Sequence, residues 1–332
     1  MSARRPVPIA VLGDGGWGTT LAIHLHRIGH RVTWWGAFPD YVKTVERRRE
    51  NIKFLPGVPI PRGLHLSSSL VETTASAHVI VLVSPSQHMR SVVQQLRRLK
   101  LTHRIFVTAA KGLERSSLKR MSTIVHDGLG AVTLAVLSGP NIARDIANGQ
   151  PASAVIASHS ASRATELQRL FMSSHFRFYT STDVAGVELG GALKNPIAIA
   201  AGISDGLGLG SNAKAALVTR GVVEMARLGV AMGAKEETFW GLSGLGDLVT
   251  TCLAGRNHWL GEQLGQGRTV KAILTSTPMV IEGVDTAKAA YALGRRHRVE
   301  LPIIEQVHAI LFRGRSPQRA LRDLMSRTGK SE

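Results

Sequence analysis

Short apolar, β-branched runs alternate with helical patterns through the first 180 residues. Residues 7–12 predict a strand. Residues 17–28 then show an apolar face at helical spacing, and Gly29 is a natural stop. A second strand is predicted at 32–35. Residues 78–83 read H-V-I-V-L-V, the nearly continuous apolar run of a strand buried on both faces. Ser84-Pro85-Ser86 ends that run, and 87–99 is helical. The strand pattern returns at 104–108, 133–137, 153–157 and 176–180, with helical segments between. Strands spaced by helices predict βαβ units and a mostly parallel sheet. Near Asp183 the pattern changes, and helices are expected at 183–202, 212–232, 235–241, 270–276, 285–297 and 303–312. A boundary is placed there, between an α/β domain at 1–182 and a helical domain at 183–332.

Composition narrows the classes. A chain of 332 residues with 44% apolar and 19% charged positions can bury a sizeable core and is not disordered. Cys252 is the only cysteine, so neither a disulfide framework nor a cysteine-based zinc site is possible. No metal site is expected. No uncharged apolar run approaches the ~18–20 residues of a membrane span, and 7–12 is too short for a signal peptide. A cytoplasmic protein is expected. The unusual figure is charge: 41 basic against 23 acidic residues, a net +18. It points to an anionic partner, whether nucleic acid, membrane surface or phosphorylated small molecule.

Motifs choose among these. Gly13-Asp14-Gly15-Gly16-Trp17-Gly18 fits G-x-G-x-x-G between a predicted strand and a predicted helix. Gly13 suits the tight turn, Gly15 a close backbone approach to a pyrophosphate, and Gly18 close strand–helix packing. The helix N-terminus adds unpaired N–H groups. A merely tight turn would not require three glycines. The acid that binds a ribose 2′-hydroxyl at the end of the second strand is missing: that region reads Thr33-Trp34-Trp35-Gly36-Ala37. Lys43 and Arg47–Arg49 are within sequence reach of a 2′-phosphate, or simply form a solvated face.

Lys111, in Ala110-Lys111-Gly112-Leu113-Glu114, follows a predicted strand and so points toward the crevice where such sheets bind ligands. The alternative is a surface lysine. Ser138-Gly139-Pro140-Asn141 follows another strand and suits an anion-facing turn. Gly190-Gly191-Ala192-Leu193-Lys194-Asn195 puts two glycines inside an apolar helix, each costing about 1 kcal/mol against alanine. Something must come close there, either another backbone or a cofactor ring. Lys194, in a partly dry pocket near a second ammonium, would exchange a proton closer to neutral pH. Its alternative is a lysine snorkelling from a packed helix. Residues 241–247 form a glycine-rich turn ending in Asp247, either a helix cap or a partner for Lys194. Arg256-Asn257 suits the oxygens of a phosphate.

Together these segments resemble the soluble NAD(P)-dependent glycerol-3-phosphate dehydrogenase family. The resemblance runs in order through 13–20, 110–114, 138–143, 189–195, 244–252, 255–257 and 280–283, over nearly the whole chain. It implies a Rossmann-type α/β domain followed by an all-helical substrate and catalytic domain. It also implies reversible hydride transfer between a nicotinamide and C2 of dihydroxyacetone phosphate, giving sn-glycerol 3-phosphate for glycerophospholipid synthesis. Lys194 would be the proton donor, Asp247 its holder, and Lys111 an added positive charge. Gly139, Asn141, Gly255, Arg256 and Asn257 would join Lys111, Lys194 and Asp247 around the substrate. The cofactor, NADP or NAD, would meet Gly13, Gly15, Gly16, Trp17 and Gly18. Ala37, Lys111, Ala143, Arg256, Val280 and Glu282 also match cofactor positions. A homodimer is implied, with no nucleic-acid partner and no integral membrane association.

Some positions depart from the family. Ala37 stands where a polar or basic residue is common. Pro196 replaces an aliphatic residue and predicts a helix kink, with Lys194 in the last regular turn before it. The spacing from Asp247 to Arg256 is shorter than in many bacterial members and equals that of the eukaryotic type. Two other readings are open: a related hydroxyacid or 6-phosphogluconate-type dehydrogenase, and a basic nucleic-acid-binding protein resting on Arg47–Arg49 and Arg295-Arg296-His297-Arg298. Aromatics are only 5%, and those clusters lack interleaved rings for stacking bases.

Overall fold

The computed structural model describes residues 5–329. It divides into two compact units: Met1–Lys111 with Arg120–Val184, and Gly112–Lys119 with Ala185–Glu332. The segment Gly112–Lys119 thus belongs with the helical unit, and Leu113 is part of that unit's apolar core.

The first unit is built on one eight-stranded sheet: β1 (Pro8–Leu12), β2 (Arg31–Trp35), β3 (His65–Ser67), β4 (Val79–Leu82), β5 (Ile105–Thr108), β6 (Thr133–Ser138), β7 (Ala152–Ala157) and β8 (Phe176–Ser181). The order is β3-β2-β1-β4-β5-β6-β7-β8. All pairs are parallel except β6 with β7. The strand period of two sorts the apolar runs to two faces. Ile9, Val11, Val79, Val81, Ile105 and Val107 pack into one core. Ala10, Leu12, Ile80, Leu82 and Phe106 pack into another on the opposite face. This two-sided burial explains the continuous hydrophobicity of β4. β1 lies between β2 and β4, so strand order reverses at its carboxyl end. That switch point is where open α/β sheets leave a ligand crevice.

From residue 185 to 329 every regular element is helical. The long helices are Val184–Gly206, Gly210–Ala231, Glu282–His297 and Pro302–Arg313. Three findings differ from the sequence expectation. Residues 241–247 are not an irregular turn: Leu242–Gly246 is a π-helical turn, and a helix, Asp247–Leu253, begins at the carboxylate. Arg256–Gly265 is also helical. Helix Val184–Gly206 continues through Pro196 for ten further residues, so Lys194 lies in its interior rather than in a last turn. Proline lacks an N–H, so the Ala192 carbonyl loses its usual helical donor there while the helix is carried on.

Candidate active-site residues

In the α/β unit the glycine loop leaves β1 and opens helix Gly16–Arg27. Gly13 has φ +148°, and a Cβ there would stand 2.8 Å from the Val83 carbonyl, so only glycine fits. A Cβ on Gly16 would stand 2.5 Å from the Phe54 carbonyl oxygen. Gly15 differs: a Cβ there meets nothing within 4 Å. The loop is therefore tight where it faces protein and open at Gly15, beside a helix N-terminus with no acidic residue in its first turn. These residues fit the pyrophosphate of a dinucleotide. Trp17 sits edge-on to Phe176 at 6.4 Å, and Ala143 accepts from the Thr20 hydroxyl at 3.0 Å.

At the carboxyl ends of β5 and β6, Lys111 Nζ donates to the Gly139 carbonyl at 2.7 Å. Gly139 has φ +134°, and its Cβ would lie 2.9 Å from Ala154 Cα. Asn141 donates to the Ser153 carbonyl at 3.2 Å, while its Oδ1 is buried with no hydrogen-bond partner among the described residues. Ala37 is exposed just past β2.

In the helical unit, Lys194 is 6% exposed, which limits it to a paired state. Its ammonium donates to Asp247 Oδ1 and, at 2.6 Å, to Thr251 Oγ1. The Thr251 hydroxyl in turn donates to the Asp247 carbonyl at 2.7 Å. The π-helical turn that delivers Asp247 approaches through Gly190, whose Cβ would stand 2.5 Å from the Ser243 carbonyl oxygen. What comes close to that glycine is therefore another backbone.

Next to Lys194 along its helix, Asn195 accepts on Oδ1 from the Asn257 amide at 2.9 Å, and Asn257 Oδ1 accepts from the Gly283 N–H at 3.0 Å. Asn257 thus ties three helices together and is 8% exposed. Gly255 precedes it at φ +112°, and Arg256 Nη1 donates to the Val280 carbonyl at 2.7 Å, two residues before Glu282. Cys252 is buried and its thiol is pushed up to about 12, burial outweighing the nearby lysines, which favours the neutral thiol over the thiolate.

Sequence reasoning missed Thr251 and Asn195. Thr251 lies four residues after Asp247, one helical turn on, a signal available once that stretch is read as a helix. Asn195 needed only its adjacency to Lys194.

The sequence profiles of the NAD-dependent glycerol-3-phosphate dehydrogenase N-terminus and C-terminus match residues 8–164 and 183–322. The chain is 47% identical to a glycerol-3-phosphate dehydrogenase [NAD(P)+] of Syntrophotalea carbinolica over 329 residues, 98% of this chain and 99% of that one. It is 45% identical, at the same coverage, to the enzyme so named from Chlorobium limicola. The crystal structure of glycerol-3-phosphate dehydrogenase from Coxiella burnetii superposes with a TM-score of 0.94 at 38% identity, covering 97% of this chain and 99% of that one.

Proposed function

The chain belongs to the NAD-dependent glycerol-3-phosphate dehydrogenase family, and from that premise we propose that it interconverts dihydroxyacetone phosphate and sn-glycerol 3-phosphate with NAD or NADP. The observation that carries the reading is the buried Lys194 ammonium, held by Asp247 and Thr251. When bound, the reduced nicotinamide supplies the hydride that adds to C2 of the ketone. Reduction leaves an alkoxide oxygen that must gain a proton, and Lys194 donates it. Asp247 and Thr251 fix the direction of the ammonium, so little reorganisation is needed as charge develops. Lys111, with its ammonium tethered to the Gly139 carbonyl, adds positive charge for a phosphorylated ketone.

Arg256 offers a fork of donors to the substrate phosphate. Asn257, spent on Asn195 and Gly283, orients that helix start and has one further amide hydrogen to give. Binding energy from the remote phosphate then positions the carbonyl. Among the described residues no helix is long and apolar enough to cross a membrane. The family resemblance further supports a cytoplasmic homodimer feeding glycerophospholipid synthesis.

The test is steady-state oxidation of NADH and NADPH by the purified chain. Oxidation should require dihydroxyacetone phosphate. Lys194→Ala should lower kcat by roughly 10²–10⁴-fold, the usual share of general acid catalysis. Arg256→Ala should raise KM for the phosphorylated ketone with a smaller change in kcat. Equal efficiency on unphosphorylated dihydroxyacetone would contradict the phosphate assignment.

A further inference from the structure

Arg256 is the first residue of helix Arg256–Gly265, and Gly255 before it makes no side-chain cap. A Cβ on Gly255 would meet nothing within 4 Å. The side chains that tie this first turn to other helices come after Arg256. Asn257 reaches Asn195 and Gly283. His258 supplies a second tie: its Nε2 donates to Asp205 Oδ2 at 2.6 Å. The Lys214 ammonium lies 2.5 Å from the same carboxylate oxygen. One acid therefore joins helices Val184–Gly206, Gly210–Ala231 and Arg256–Gly265.

Local electrostatics disfavour an acid at that place. Asp205 lies in the last turn of helix Val184–Gly206, where a negative charge opposes the helix dipole. Burial would raise its carboxyl further, but the hydrogen bonds and charges of Lys214 and His258 outweigh burial and hold it below the usual aspartate value. Its two partners are what keep it ionised. The backbone is fitted to the same contact. Gly202 lies three residues before Asp205, on the same side of the helix, and a Cβ there would collide with the His258 carbonyl. Without one, the His258 backbone lies against this helix within reach of Asp205. The His258 side chain is only 13% exposed, so solvent does little to screen its bond to the carboxylate.

We propose that His258, held by Asp205 and Lys214, is a positioning residue for the substrate phosphate: it fixes the first turn of its helix so that the Arg256 guanidinium meets the phosphate in one orientation. This rests on the dehydrogenase reading above and deepens it. A guanidinium fork binds phosphate through paired N–H groups, so its contribution depends on direction as well as distance. Arg256 Nη1 already donates to the Val280 carbonyl at 2.7 Å, and the remaining N–H groups point where the helix start directs them. Charge alone predicts the opposite sign. Asp205 puts a negative charge near an anion site, so neutralising it would tighten phosphate binding if orientation did not matter.

The test is steady-state kinetics of the full chain with dihydroxyacetone phosphate and with unphosphorylated dihydroxyacetone, beside calorimetric binding of NADH. His258→Phe should raise KM for the phosphorylated ketone roughly tenfold, the scale of one hydrogen bond to a charged group, with a smaller change in kcat. Its kcat/KM for dihydroxyacetone and its affinity for NADH should not change. His258→Gln, which keeps a donor for Asp205, should restore most of the loss. Asp205→Asn should also raise KM, and it serves as the second variant should the phenylalanine not fold. In an Arg256→Ala background, His258→Phe should add no further rise, because the two act as one unit. Equal losses on both ketones, additivity with Arg256→Ala, or a KM that falls or stays unchanged in Asp205→Asn would overturn the proposal and leave the dehydrogenase reading standing. A wild type that oxidises neither NADH nor NADPH with dihydroxyacetone phosphate would overturn both.

Discussion

Asp247 and Glu224 are both buried acids of the helical unit, 1% and 4% exposed, and they differ in what they face. Asp247 faces an ammonium, so its charge is compensated. Glu224 faces backbone: it accepts from the N–H groups of Ile303 and Ile304 at 2.7 and 3.2 Å, holding the start of helix Pro302–Arg313. Burial, the largest influence, pushes its carboxyl up to about 7 despite these two donors and Arg227, and Glu305 adds to the rise. The sign follows from linkage. A folded-state value above the ordinary 4.5 means that the stabilising contribution is complete below 4.5 and is lost as pH rises through about 7. Urea midpoints measured from about pH 5 to about pH 8 should fall by an amount worth up to roughly 3 kcal/mol. Glu224→Gln should flatten that slope. An unchanged slope in the variant would assign the pH dependence to another group.

At the scale of elements, glycine does the positioning. Helices Val184–Gly206 and Arg256–Gly265 cross backbone to backbone: a Cβ on Gly202 would stand 2.8 Å from Glu262 N, and one on Gly261 2.8 Å from Ile203 N. That contact sets the distance at which Asn195 meets Asn257. Gly261→Ala should cost about 1–3 kcal/mol by overpacking. It should also raise KM for the phosphorylated substrate, because the helix carrying Arg256 and Asn257 must move away. A lower melting temperature with unchanged KM would uncouple the crossing from substrate binding.

The same elements explain what the sequence could reveal. The strands of the α/β unit are legible because each carries its own period-two or fully apolar pattern, and the glycine loop because its residues are contiguous. β3 has only three residues, too few for any period. The π-helical turn and helix Arg256–Gly265 are glycine-rich segments stabilised by partners far along the chain, so local propensity points away from them. Lys194 and Asp247 are 53 residues apart, and chemical complementarity was the sole local hint of their pairing. Asp14 shows the reverse: in the motif it is an unconstrained position, and only strand register brings it to the end of β2.

Over the whole molecule the +18 charge is uneven. Residues 1–111 and 120–184 hold 21 basic against 9 acidic side chains, a net +12, and the rest hold 20 against 14, a net +6. Two-thirds of the surplus therefore lies in the unit with the glycine loop, the part that would receive a dinucleotide's phosphates. Lys111 is one of those cations, so most of the excess lies outside the candidate site. Charge of that kind acts through the long-range field, raising the encounter rate of anions without setting the chemistry. Field effects of exposed charges are screened beyond about 10 Å at 0.1 M salt. Raising ionic strength from about 0.05 to about 0.5 M should thus lower kcat/KM for dihydroxyacetone phosphate several-fold and leave kcat nearly unchanged. Duplex DNA of random sequence, added at physiological salt, tests whether the surplus serves nucleic acid instead. It should neither inhibit turnover nor bind with a steep salt slope. A flat response of kcat/KM to salt, together with tight and salt-sensitive DNA binding, would assign the surplus charge to a second ligand rather than to anion steering.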